Sequence, residues 1–201
     1  MKLYGFGPTR AARCLWLLRE LEQPFEYVSV DLATGEHQQP AFLAINPYGR
    51  VPVLEDGDLR IRESVAICTY LADRFADRGL IPTPGSPDRA VHDQHLFFTV
   101  AELDAPLWRQ RLHRVMYPEA RRIPGEVDNA QRDFHAAAAV IQEDLGDGPF
   151  LLGERFTVSD VVLAHTLFWA DWTDLLEGFE PLRAYVARCV ARPACLSAMR
   201  G

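Results

Sequence analysis

The chain has 201 residues, 48% of them hydrophobic and 24% charged, with a formal net charge of -7. That composition suits a globular protein whose core needs no disulfide or metal. The negative balance excludes a nucleic-acid surface, which needs clustered Lys and Arg, and no uncharged stretch is long enough to span a bilayer.

Lys2 to Phe6 reads as a short strand closed by Gly7 and Pro8. Arg10 to Glu22 follows as a helix, with Thr9 placed to cap it and Cys14, Leu15, Leu18 and Leu21 at apolar spacing. Phe25 to Asp31 predicts a second strand, and a polar segment with weak helical character leads to the turn Asn46-Pro47-Tyr48-Gly49. Val51 to Glu55 and Leu59 to Arg62 flank Asp56-Gly57-Asp58 as a hairpin, and Glu63 to Ala76 closes this half as a helix. The order β-α-β, crossover, β-β-α is that of a four-stranded thioredoxin-like sheet.

Residues 79–87 are rich in Pro and Gly and mark a boundary. Residues 1–77 therefore form an α/β thioredoxin-like N-terminal domain, 78–87 a linker, and 88–201 an all-α C-terminal helix-bundle domain. Ser86 and Pro87 open the first long helix as N-cap and first residue, carrying Leu96, Val100, Leu103, Leu107 and Leu112, with an interruption expected at Pro106. Further helices are predicted from Pro124 to Leu145, from Val158 to Leu176 and from Pro181 to Val190. Phe156-Thr157-x-x-Asp160-Val161 is a capping box with a hydrophobic staple, Asp taking the usual place of Glu. Cys14, Cys68, Cys189 and Cys195 form no C-x-x-C pair and fall in apolar helical patterns, so buried, reduced thiols are expected. The strand at the N-terminus leaves no room for a signal peptide, and the expected location is cytoplasmic.

Three local features carry chemistry. Pro52 lies in a strand-like run, where proline belongs either on an edge or in a cis bend. Glu63-Ser64 opens a helix, a place that either caps the helix or meets an anion with its free N–H groups. Gly35-Glu36-His37-Gln38 precedes Arg50 by a short loop and is either a solvated turn or a cationic contact.

These features, with the run Asn46-Pro47-Tyr48-Gly49-Arg50-Val51-Pro52-Val53-Leu54, resemble the cytosolic glutathione S-transferase family. Within it the chain is similar to bacterial members with a hydroxyl-type active site, of the theta- and phi-like classes. The resemblance covers the whole chain, strongest over 1–76 and weaker in the helices apart from Gly153 to Val161. It implies that Val51-Pro52 is cis, with Val51's main chain facing the ligand. It further implies that Glu63 and Ser64 hold the γ-glutamyl end of glutathione, the carboxylate meeting Ser64 and the ammonium meeting Glu63. His37, Gln38 and Arg50 would lie by the glycine carboxylate, Gln38 standing where Lys is more usual.

The catalytic position falls on Thr9, where the family usually carries Ser, Tyr or Cys. Thr9 either donates a hydrogen bond to the glutathione thiolate or serves only as a cap. A second-substrate pocket would be lined by Trp108, Leu112, Met116 and Tyr117, with Arg109, Arg111 and His113 interleaved. The implied activity is conjugation of glutathione to a small hydrophobic electrophile, with hydroperoxide reduction and isomerisation as related outcomes. Glutathione is a co-substrate, no metal or other cofactor is implied, and a homodimer is expected. The rival is a binding or regulatory protein of the same fold without turnover. A thiol-disulfide oxidoreductase is disfavoured because Cys14 lies more than a turn inside its helix.

Overall fold

The computed structural model describes residues 1–195; residues 196–201, the last part of the helical range 88–201, lie outside the described residues. The described chain divides into two compact units, Met1–Pro82 together with residues 190–195, and Thr83–Cys189.

In the first unit, β1 (Lys2–Gly5), β2 (Glu26–Ser29), β3 (Val53–Asp56) and β4 (Leu59–Arg62) form a sheet in the order β2-β1-β3-β4. β1 pairs parallel with β2, Leu3 opposite Tyr27, and antiparallel with β3, Leu3 opposite Leu54. Because side chains alternate along a strand, Leu3 and Leu54 point one way while Tyr4 and Val53 point the other. The latter pack with Val30 and with Phe42 of the short helix α2 (Pro40–Leu43). The opposite face carries α1 (Ala11–Glu20) and α3 (Ser64–Arg74), whose Leu17, Leu18, Ile67 and Leu71 are fully buried. β1 comes so close to α1 that a Cβ on Gly5 would lie 2.7 Å from that of Ala11, so only glycine fits there.

β4 spans its sequence pattern in full, β1, β2 and β3 are each a residue or more shorter than theirs, and α1 runs from Ala11 rather than Arg10 and stops at Glu20. The weakly helical polar segment resolves into a 3-10 turn at Glu36–Gln38 followed by α2. The segment 190–195, which the sequence pattern gives to the helical domain, groups with the first unit. Its Arg192 binds both carboxylate oxygens of Glu20, at 2.7 and 2.8 Å, and Glu20 also accepts from Trp16 Nε1 at 2.9 Å.

The second unit is helical. α4 (Pro87–Phe98) opens with Ser86 as N-cap, its hydroxyl accepting from Arg89 N–H at 3.1 Å. It continues through a π-helical stretch, Thr99–Asp104, into α5 (Ala105–Arg111), and ends in a second π stretch, Leu112–Met116. The interruption expected at Pro106 thus takes the form of a wider register just before it. A proline N–H is missing from the i→i−4 ladder, and a π turn absorbs the loss without a break.

α6 (Pro124–Leu145) ends at Gly146, whose φ is 54°. α7 (Val158–Asp171) is buried along most of its length and starts at the expected capping box. Asp160 accepts from Thr157 N–H at 2.8 Å with one oxygen, and from Leu151 N–H and Tyr185 O–H, both at 2.9 Å, with the other. α7 stops at Asp171 rather than at Leu176, because the chain turns through Asp174 at a φ of 62°. α8 (Glu180–Val190) closes the unit. All four cysteines are buried.

Candidate active site

The site residues of the first unit come from three places: the start of α1, the loop from Glu36 to Pro52, and the start of α3. Thr9 lies two residues before α1 and is half-buried; the N-cap position falls on Arg10 rather than on Thr9, because the helix starts a residue later than its sequence pattern. Thr9 Oγ1 accepts the N–H of Ala11 at 3.3 Å, and its carbonyl accepts that of Ala12 at 2.9 Å.

The loop is organised by Asn46, which is 2% exposed. Its Oδ1 accepts from Tyr48 N–H at 3.1 Å and faces Arg62 NH1 at 3.5 Å, while its Nδ2 donates to Arg50 O at 2.6 Å. Gln38 Nε2 donates to Gly49 O at 3.3 Å and joins the 3-10 turn to this loop. Gly49 is required there: its φ is 60°, and a Cβ would meet Gln38 Nε2 at 2.5 Å. Arg50 is exposed, its guanidinium 4.8 Å above the ring of Tyr48. His37 is half-buried, and its Nδ1 is shielded from solvent without a hydrogen-bond partner among the described residues. The Val51–Pro52 peptide bond is cis. Pro52 is buried, and Val51 packs against the cluster of Tyr4, Val30, Phe42 and Val53.

At the start of α3, Glu63 is exposed and adopts φ 68°, ψ 118°, with no side-chain hydrogen bond capping the helix. A glutamate in that region is strained. Its conformation delivers Ser64 as the first helical residue, 5% exposed, with no acidic residue in the first turn to neutralise the positive helix end. Ser64 Oγ accepts from Arg13 NH1 at 3.3 Å, and Ser64 O accepts from Cys14 Sγ at 3.6 Å. Burial pushes the Cys14 thiol well above its ordinary range, with Cys68 Sγ 3.9 Å away adding to the shift. Cys14 is therefore a packed thiol, not a nucleophile.

The Arg13–Ser64 contact and the bridging role of Asn46 are what residue-by-residue sequence reasoning passes over. An Asn before Pro signals an Asx turn, but a single Arg in the run Ala11-Ala12-Arg13-Cys14-Leu15-Trp16 gives no sign that it is buried.

In the second unit, Trp108 lies in α5, Leu112 and Met116 bound the second π stretch, and Tyr117 follows it. Met116 is 53% exposed. Tyr117 stacks edge-on with His113, ring centroids 5.1 Å apart, and Arg121 sits 4.3 Å over its ring. An open cleft of about 640 Å³ in this unit is lined by other residues, among them Phe98, Pro106, Arg109, Asp133 and Val140. Among the described residues no group of three or more His, Cys, Asp or Glu stands together to hold a metal, and no helix is long and apolar enough to cross a membrane.

Comparison with known proteins agrees with this geometry. Residues 1–73 match the glutathione S-transferase N-terminal domain family and residues 124–188 the C-terminal domain family. Glutathione S-transferase F9 of Arabidopsis thaliana is 31% identical over 182 residues, 89% of this chain and 81% of that protein. Glutathione S-transferase 3 of Zea mays is 35% identical over 172 residues, 80% of this chain and 73% of its own length. Among solved structures, the ternary complex of BphK, a bacterial GST, superposes with a TM-score of 0.88 at 28% identity, covering 100% of this chain and 98% of that one.

Proposed function

The chain belongs to the glutathione S-transferase family, and on that premise we infer that it is a transferase conjugating glutathione to small hydrophobic electrophiles. The observation that carries the assignment is Ser64, a buried hydroxyl opening α3 where no acidic residue or side-chain cap competes for the helix end. A carboxylate placed there gains the hydroxyl and the free N–H groups of the first turn. The γ-glutamyl carboxylate of glutathione meets Ser64, and its ammonium meets the exposed Glu63. The peptide main chain pairs with Val51 beside Pro52, and the glycine carboxylate is held by His37, Gln38 and Arg50. Gln38 contributes a neutral contact, since its amide also supports the loop at Gly49.

With glutathione held in this way, Thr9 donates a hydrogen bond from its hydroxyl to the sulfur. That bond and the N-terminus of α1 favour the thiolate over the thiol. The thiolate then attacks the electrophilic carbon, forming the thioether as the leaving group departs with its electron pair. Reduction of organic hydroperoxides and isomerisation by reversible addition follow from the same thiolate. Glutathione is consumed as co-substrate and no other cofactor takes part. The electrophile's pocket is assigned to Trp108, Leu112, Met116 and Tyr117, and the cations beside them suit an aromatic or anionic acceptor. Phe97, 74% exposed on α4, and its neighbour Val100 support a homodimer that covers this apolar surface. The protein acts in the cytoplasm, where glutathione keeps its buried thiols reduced.

A second reading, a binding protein without turnover, is favoured by one observation, Thr9 in place of the usual Ser, Tyr or Cys. Conjugation to an activated nitroaryl halide separates the two. Turnover that requires Ser64 supports the transferase. Glutathione binding at Ser64 without turnover supports the binder, and neither binding nor turnover refutes both.

A further inference from the structure

We propose that Arg13 is a positioning residue for glutathione, acting through Ser64; this rests on the assignment of Ser64 to the γ-glutamyl carboxylate made above. Arg13 is 1% exposed, on the first turn of α1, and its NH1 lies 3.3 Å from Ser64 Oγ. Arginine is almost never buried this fully, because losing water costs a guanidinium several kcal/mol unless strong partners replace it.

The chemistry of the contact explains its use. A serine hydroxyl has one proton and two lone pairs. A guanidinium only donates, so it must occupy a lone pair of Ser64 Oγ and cannot take its proton. The proton is thereby left to point away from Arg13, toward whatever sits at the helix start. A neighbouring cation also polarises the O–H and strengthens the bond it donates. Without Arg13 the hydroxyl would be free to turn and donate to a backbone carbonyl, and a carboxylate would face a lone pair as often as a proton.

The second half of the device is the next residue. Cys14 Sγ donates to Ser64 O at 3.6 Å, so consecutive residues of α1 grip both the side chain and the carbonyl of Ser64. Glu63, at its φ of 68°, fixes the same residue from the other direction. The guanidinium does more than orient: by polarising the hydroxyl it strengthens the bond that Ser64 donates, and that bond favours an anion at the start of α3 over a neutral group of the same shape. Arg13 therefore sets selectivity for the carboxylate, not only affinity for the peptide.

The test measures KM and kcat for glutathione and for the analogue whose γ-glutamyl carboxylate is an amide. The proteins are the wild type, Arg13→Met, Arg13→Gln, Ser64→Ala and the double variant Arg13→Met/Ser64→Ala, each with its melting temperature. The wild type is expected to prefer glutathione. Arg13→Met should raise KM for glutathione about tenfold with kcat nearly unchanged, and leave KM for the amide almost where it was. Arg13→Gln, which keeps a neutral N–H donor, should fall between, and the double variant should discriminate no less than Ser64→Ala alone. An equal rise in KM for both ligands would make Arg13 a general support of the fold and overturn the proposal. So would full preference surviving in Arg13→Met or, if that variant does not fold, in Arg13→Gln. A wild type without preference removes the Ser64 assignment and this proposal together. Preference lost in Ser64→Ala but kept in both Arg13 variants removes this proposal alone.

Discussion

Thr9 and Glu63 show how much a single side chain decides here. If Thr9 donates to sulfur, Thr9→Val keeps the shape and removes the donor. Losing about 1.5–3 kcal/mol of thiolate stabilisation should move the bound thiol's titration up by about one to two pH units and slow conjugation at neutral pH by roughly tenfold or more. Thr9→Ser should retain activity. Thiolate absorbance against pH, with rates for the three forms, checks both expectations. Glu63 poses a different question, because its backbone is strained and its side chain is assigned to the ligand's ammonium. Glu63→Gly relieves the strain at a cap position that tolerates glycine, and should stabilise the fold by about 1 kcal/mol. The same change should weaken glutathione binding more than tenfold. Thermal melts and ligand titrations should thus move in opposite directions. Pro52, Glu63 and Ser64 could be found in the sequence because each sits in a short local pattern. Arg13 could be named only as a cation near the sulfur; its contact to Ser64 could not be found, because that residue lies 51 positions away.

Within the elements, buried polar groups govern the response to acid. His92 and His95 of α4 are 0% and 4% exposed, and burial holds both rings below the ordinary 6.5. Asp93 and the more distant Asp160 pull His92 upward while Arg89 pushes it further down, and Asp144 and Asp160 pull His95 upward. As pH falls through 6.5 the unfolded chain takes up protons that the folded chain refuses, so stability is highest above 6.5 and declines below it. Asp160, whose carboxyl burial pushes above 3.8, acts with the opposite sign from lower pH. Denaturant midpoints between pH 7.5 and 5.5 should therefore fall, and His95→Leu should flatten that slope. Asp160→Ala leaves Leu151 N–H, Thr157 N–H and Tyr185 O–H without their acceptor and should cost about 3 kcal/mol or more in the same measurement. The capping box and the Ser86 cap were legible because caps are local chemistry. The π register before Pro106 was not: a proline announces that a helix must adjust, and packing chooses how.

For the molecule as a whole, the order of strands and helices carried most of the fold, since a parallel crossover followed by a hairpin admits few arrangements. What it concealed is that residues 190–195 belong with the first unit. The contact responsible, Arg192 to Glu20, spans 172 positions, and no periodicity reaches that far. Arg192→Met should cost about 1–3 kcal/mol, because it strands a carboxylate that is only 10% exposed. Hydrogen exchange should report the loss in α1 and leave α7 protected. The same pairing has a meaning for biosynthesis. A ribosome makes the sheet and helices of the first unit first, then must add all of Thr83–Cys189 before Arg192 exists. At typical elongation rates that is a wait of roughly 5 to 20 seconds. During it, Glu20 on the nascent chain has no guanidinium to meet, so the first unit to be made is among the last to be finished.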